Sequence, residues 1–153
     1  MTPERFMIDS MIFDKIIDEP TAAELVRRLA TSGVLVLLAT HVQIDEVART
    51  SDEDRRNRLL AVPVESVPTY GVVLGISRLG QARLSESEPL ETLRGDNLDH
   101  TEDALIAATA QYEGVTLVTE DRTLTSRAGN QGIPVCNWQA FLGRLQKLAS
   151  PLA

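Results

Sequence analysis

Residues 101–121, TEDALIAATAQYEGVTLVTED, decide the fold. Thr101 is placed to cap a helix and Gly114 to stop one, so the stretch predicts a helix over 101–114. Ala104, Ala107 and Ala108 are small and inward, which lets that helix lie close to a sheet. VTLVT, 115–119, follows as a buried strand, and Asp121 comes just past its end. Helix, glycine, apolar strand and then an acid is the pattern of an α/β protein. Such folds bind ligands beyond the carboxyl ends of parallel strands.

The same alternation continues in both directions. Downstream, 121–132 holds a short helix, IPVCN (133–137) a strand, and 137–149 an amphipathic helix. Upstream, RFMID (5–9) reads as a short strand and 21–31 as a helix with Ala22, Leu25, Val26, Leu29 and Ala30 on one face. VLVLLA, 34–39, is apolar on both faces, as a central parallel strand should be. Thr40 caps a helix that turns Ile44, Val47 and Ala48 inward, and 51–61 continues helical. VPVESV, 62–67, is a strand whose two prolines suggest a sheet edge. Residues 69–80 read as a glycine-weakened helix, and 84–100 as the longest loop. The whole predicts one α/β domain over 1–153, a three-layer α/β/α arrangement around a parallel sheet.

Bulk composition narrows the function. With 43% apolar residues among 153, the chain can bury a sizeable core, and only 4% aromatics makes that core aliphatic. No apolar run reaches the roughly 18 residues of a membrane span, and MTPERFMID has no long apolar signal region. One cysteine, Cys136, excludes an internal disulfide and fits a reducing cytoplasm. One Cys with separated His41 and His100 argues against zinc. A net charge of −7 taken alone argues against a phosphate-backbone binder. Thirteen Arg stand against two Lys. Arg suits bidentate phosphate contacts, although a GC-rich genome gives the same ratio.

Part of the negative charge has a site to go to. Asp9, Glu46, Asp103 and Asp121 each lie just after or beside an apolar segment. Carboxylates there are costly unless they share a cation. An oxygen-only set suits a hard divalent ion, Mg²⁺ or Mn²⁺, and such ions commonly act on phosphate esters. Asp45 is an alternative to Glu46, and Glu102 and Asp99 are alternatives to Asp103. Asp121 also reads as a helix N-cap, which is compatible with metal binding because one oxygen can serve each. Ser10 is placed to help hold Asp9. Arg55, Arg56 and Arg58 form the dense basic cluster. It reads either as an RNA contact or as a helix neutralised by Asp52, Glu53 and Asp54. Arg122 adjoins the candidate site and could touch a phosphate. His41 and His100 are near it and could act as a general base. Trp138 reads as a packing anchor and Cys136 as a buried core residue.

MIDS near the start, the segment around Glu46, and DALIAATAQYEGVTLVTED together resemble the PIN-domain nucleases, over nearly the whole chain and in the family's order. In size and plan the chain looks most like the VapC-type toxin ribonucleases of toxin–antitoxin pairs. The resemblance implies a metal-dependent endoribonuclease on a five-stranded parallel sheet. Asp9, Glu46, Asp103 and Asp121 would form its acidic quartet, with Thr119 orienting it. It also implies an RNA substrate, an antitoxin partner, and a homodimer through the helices of 21–31 and 69–83. Met11, Leu124 and Glu120 depart from the residues common in the family at those positions. Other readings of the same carboxylates are a metal-dependent phosphatase, a DNA nuclease, or a non-catalytic PIN-like binding module. A receiver-like signalling domain fits poorly: MIDSM has a single acid, and no Lys lies between Lys15 and Lys147. No Walker A sequence is present, so use of a nucleoside triphosphate is unsupported.

Overall fold

A computed structural model describes residues 2–70, 82–83 and 101–150; the side chains of 69–70, 82–83 and 101–104 lie outside that description. Five parallel strands make the central sheet. They are β1 (Glu4–Ile8), β2 (Leu35–Thr40), β3 (Glu65–Val67), β6 (Thr116–Val118) and β7 (Val135–Cys136), in the order β3-β2-β1-β6-β7. Thr69–Tyr70 (β4) and Ala82–Arg83 (β5) pair separately as a short parallel ribbon. The helices are α1 (Ser10–Asp18), α2 (Pro20–Thr31), α3 (His41–Ala48), α4 (Glu53–Leu60), α5 (Thr101–Glu113), α6 (Arg122–Asn130) and α7 (Trp138–Ala149).

Strand alternation builds a core on each face of the sheet. Phe6 and Ile8, with Leu35, Leu37 and Ala39, point to one face, where Ile12, Phe13 and Ile16 of α1, Val26 of α2, and Trp138 and Phe141 of α7 pack on them. Met7 and Leu38 point to the other, against Leu105 to Ala108 of α5 and Leu124 and Ala128 of α6. The expected three-layer α/β/α sandwich with its five-stranded parallel sheet is thus observed. Phe6 and Phe141 meet edge to face at 5.3 Å between ring centroids, a contact worth about 0.5–1.5 kcal/mol beyond its buried area. Trp138 is a packing anchor, with its indole N–H donated to Glu19 Oε1 at 3.3 Å.

Several local expectations are corrected. Helix α1 was not anticipated; Asp9 caps it by accepting the Ser10 N–H. The helix from Thr40 does not run on through 51–61. It stops at Ala48, and Asp52 caps a new helix by accepting the Arg55 N–H. Val47 is buried as expected, but Ala48 beside it is exposed. The strand expected over 62–67 pairs only from Glu65, and it is the sheet edge. Thr69–Tyr70 and Ala82–Arg83 are strand, so the helix expected over 69–80 does not begin at Thr69. The rest of that segment, and the loop of 84–100, lie outside the described residues. Cys136 is half-buried, since β7 is the other sheet edge, and burial pushes its thiol pKa up. Among the described residues, no helix is long and apolar enough to cross a membrane.

Candidate active site

The carboxyl ends of β1, β2 and β6 gather the candidate residues. Asp9 follows β1 and is 5% exposed. Its backbone N–H donates to Val118 O at 3.1 Å, which ties the end of β1 to the end of β6. Both carboxylate oxygens are held. Oδ1 accepts the Ser10 N–H at 2.7 Å, and Oδ2 accepts the Thr119 hydroxyl at 2.8 Å. Thr119 is itself oriented, because its Oγ1 accepts the Asp121 N–H at 3.1 Å and so turns its proton to Asp9.

Asp121 caps α6 by accepting the Leu124 N–H on Oδ1 at 2.9 Å. A carboxylate has a second oxygen, so the cap leaves an acceptor for the cleft. Glu46 is exposed on α3, and its Oε2 accepts the Ser10 hydroxyl at 3.1 Å. Ser10 therefore joins the two acids, through its N–H to Asp9 and through its hydroxyl to Glu46. Asp9, Ser10, Met11, Asp14, Glu46, Ile106 and Asp121 line one cleft of about 270 Å³. Glu46 rather than Asp45 faces it.

The electrostatics of Asp9 follow from this packing. Burial pushes its carboxyl pKa up from the ordinary value; Thr119 and the Ser10 N–H pull it down, and the nearby Asp121 and Glu46 push it up again. The anion is thus held by hydrogen bonds yet repelled by its neighbours.

Asp103 sits in the first turn of α5, and Ile106, one turn later, lines the cleft. The Asp103 side chain, Asp99 and His100 lie outside what the structure describes. Among the described residues, no three His, Cys, Asp or Glu groups close into a cluster that could hold a metal ion. Asp9, Glu46 and Asp121 share the cleft without meeting at one point.

The basic residues are placed differently from the acids. Arg55 reaches across to α1, donating to Asp14 at 2.7 Å and to Asp18 at 3.0 Å. These partners come from another helix, not from the acids beside it in sequence. Arg56 donates to Thr50 O and Arg58 to Ile17 O. Arg122 is exposed in the first turn of α6, next to Asp121. His41 is buried at 1% exposed and is absent from the cleft lining, so it is not placed to exchange a proton there.

Two cleft residues escaped the sequence reading. Asp14 would have followed from recognising α1, since it lies four residues after Ser10 on the same face. Ile106 lies three residues after Asp103, which also puts the two on one helix face.

Known structures share this arrangement of elements. The protein PAE2754 from Pyrobaculum aerophilum superposes with a TM-score of 0.52 at 17% identity, over 96% of this chain and 98% of its own. VapBC2 from Rickettsia felis, solved bound to a DNA fragment from its promoter, gives 0.51 at 16% identity, over 88% of this chain and 98% of that one. This chain shares their fold. No protein-family model matches the sequence, and no curated protein matches it.

Proposed function

We propose that the protein is a Mg²⁺- or Mn²⁺-dependent endoribonuclease of the PIN type, acting as the toxin of a toxin–antitoxin pair. The observation that carries the reading is Asp9: a buried carboxylate, tethered at both oxygens, opening on a cleft that it shares with Glu46 and Asp121. The donor set is all oxygen, which fits a hard divalent ion. Asp9, Glu46, Asp121 and, from α5, Asp103 would hold it. When bound, such an ion supplies Lewis-acid polarisation of a phosphodiester and acidifies water.

The chain's own groups do the positioning. Thr119, fixed by the Asp121 N–H, keeps one oxygen of Asp9 from rotating. Ser10 sets the spacing of Asp9 and Glu46. Glu46, being exposed, is placed to orient the attacking water or accept its proton. Arg122, exposed and next in sequence to Asp121, would suit a phosphate beside the scissile one. Asp99 would support the site from the segment preceding α5. Arg55 and Arg56 would add RNA contacts only where their protein partners yield. An antitoxin partner is supported by the fold shared with VapBC2 from Rickettsia felis. A homodimer in the cytoplasm completes the reading.

The test is cleavage of a panel of structured and single-stranded RNAs with Mg²⁺ or Mn²⁺, with matched DNA and a phosphomonoester as further arms. Cleavage of RNA that EDTA stops is expected. Cleavage unchanged by EDTA contradicts the chemistry, and turnover of DNA or the monoester alone assigns a different substrate.

A further inference from the structure

The β1–β2 ladder ends two residues before Asp9. Its last pair is Met7 with Leu38, after which β2 continues only with β3, pairing Ala39 with Ser66 and Thr40 with Val67. Asp9 turns its N–H to Val118 O on β6, so the preceding residue, Ile8, turns its carbonyl to the β2 side. No β2 residue pairs there. The side-chain amide of Gln43 does instead: Nε2 donates to Ile8 O. Its Oε1 accepts the Thr40 N–H at 2.9 Å, and its own N–H donates to Thr40 Oγ1 at 3.3 Å. Gln43 is wholly buried.

We infer that Gln43 is a positioning residue for the acidic site, an inference that rests on the function proposed above. The side chain substitutes for a missing rung of the sheet. One end grips the backbone immediately before Asp9. The other end locks the first turn of α3, and Glu46 follows one turn later on the same face. The lateral spacing of Asp9 and Glu46 is therefore set from beneath by Gln43 and from above by Ser10. A capping box needs only the Thr40 contacts; the bond to Ile8 O is additional to capping, and it separates the two roles.

The separation can be tested with Gln43→Met, which keeps the bulk and removes the strut. Gln43→Glu is the second variant, should the first fold poorly. Its carboxylate still accepts from Thr40 N–H but cannot donate to Ile8 O. Thr40→Ala is the control that weakens the cap and leaves the strut. Each is compared with wild type well below its melting temperature. Misalignment of a site by a fraction of an ångström to an ångström costs up to about 100-fold in rate. The expected result is therefore a fall in kcat of about 10–100-fold for both Gln43 variants with KM little changed, while Thr40→Ala loses stability and keeps its kcat. Amide exchange in metal-free protein supplies the readout that needs no activity: faster exchange at Ile8 to Ser10 in the Gln43 variants and not in Thr40→Ala. Wild-type kcat in the Gln43 variants, or exchange and kcat that track melting temperature equally in all three, overturns the inference. A wild type without ribonuclease activity but with the predicted exchange pattern overturns only the proposed function and leaves the strut intact.

Discussion

Two sets of acids, one carried by α1 and one gathered at its N-terminal end, meet opposite electrostatic fates. Asp14 and Asp18 turn toward α4, where one guanidinium, Arg55, serves both. The hydrogen bond from Arg55 holds the Asp18 carboxyl below the ordinary range, and the two acids push the Arg55 pKa up in return. Asp9 lies at the other end of α1, beside Glu46 and Asp121. There burial and like charges push its carboxyl up, and only neutral donors, Thr119 and the Ser10 N–H, oppose them. The boundary runs through Asp14, which lines the cleft yet bonds to Arg55. Among the described residues, one acidic group is thus neutralised by a cation of the protein, and Asp9 in the other is held by hydrogen bonds from neutral donors. A set held in that way is one that an external cation can stabilise.

The largest effect expected is on the second set. Asp9→Asn should lower metal-dependent RNA cleavage by more than the roughly 10–100-fold that loss of an outer partner of a metal ligand costs. Assays at saturating Mn²⁺ check it, and activity near wild type would place the chemistry elsewhere. Thr119→Val comes next. It keeps the shape but leaves Asp9 Oδ2 and the Asp121 N–H without their partner. A loss of about 10–100-fold in activity or metal affinity is expected, with roughly 1–3 kcal/mol of stability. Chemical denaturation and cleavage rates read the two terms separately.

The pH response sharpens the contrast. Asp9 has a folded pKa above its ordinary value of 3.8. The native state therefore binds that proton more tightly than the unfolded chain does. Stability is lost as pH rises from the ordinary Asp value through the folded one, and the penalty is constant above both. In EDTA at neutral pH, Asp9→Asn should melt no lower than wild type. Any advantage should shrink as pH falls through the folded pKa. Asp18 has the opposite sign: its contribution is present above the unfolded pKa and fades as pH falls through the depressed one. The smallest effect is expected for Arg55→Gln, because the ion pairs it breaks are exposed. Its melting temperature should drop less than that of Thr119→Val, and the drop should fade in 1 M salt, where screening is strong. A loss as large at high salt as at low salt would make this network a packing element instead.

The fold was legible where periodicity and punctuation agree. In 101–119, the alanine-rich helix, Gly114 and an apolar strand all point one way, and Gly114 takes a positive φ of 69° at the helix stop; Thr101, expected as the cap, is the first helical residue instead. It was illegible where two readings compete over few residues. Ile12, Phe13, Ile16 and Ile17 carry the helical spacing of α1, but they follow the strand of 5–9 with no intervening glycine or proline to mark a new element. Thr40 to Ala61 has apolar and charged residues suited to one long helix. The N-cap bond of Asp52 divides it, and either helix alone satisfies the same composition. At the site, Asp9, Glu46 and Asp121 were visible as acids beside apolar segments. Their convergence was not, because it depends on the β1-β6 and β1-β2 adjacencies. Gln43 was invisible for the same reason, since its value comes from a backbone carbonyl 35 residues away.

The central claim is that the acidic cleft is a divalent-cation site built around Asp9. Titration calorimetry of Mn²⁺ into wild type and Asp9→Asn at neutral pH, paired with melting curves, tests it most directly. Saturable binding is expected in wild type, lost or strongly weakened in the variant. At 100 times the dissociation constant, the ion should stabilise wild type by about 2.7 kcal/mol, while the variant's melting temperature stays where it was. Equal binding heats and equal melting shifts in the two proteins would contradict the account.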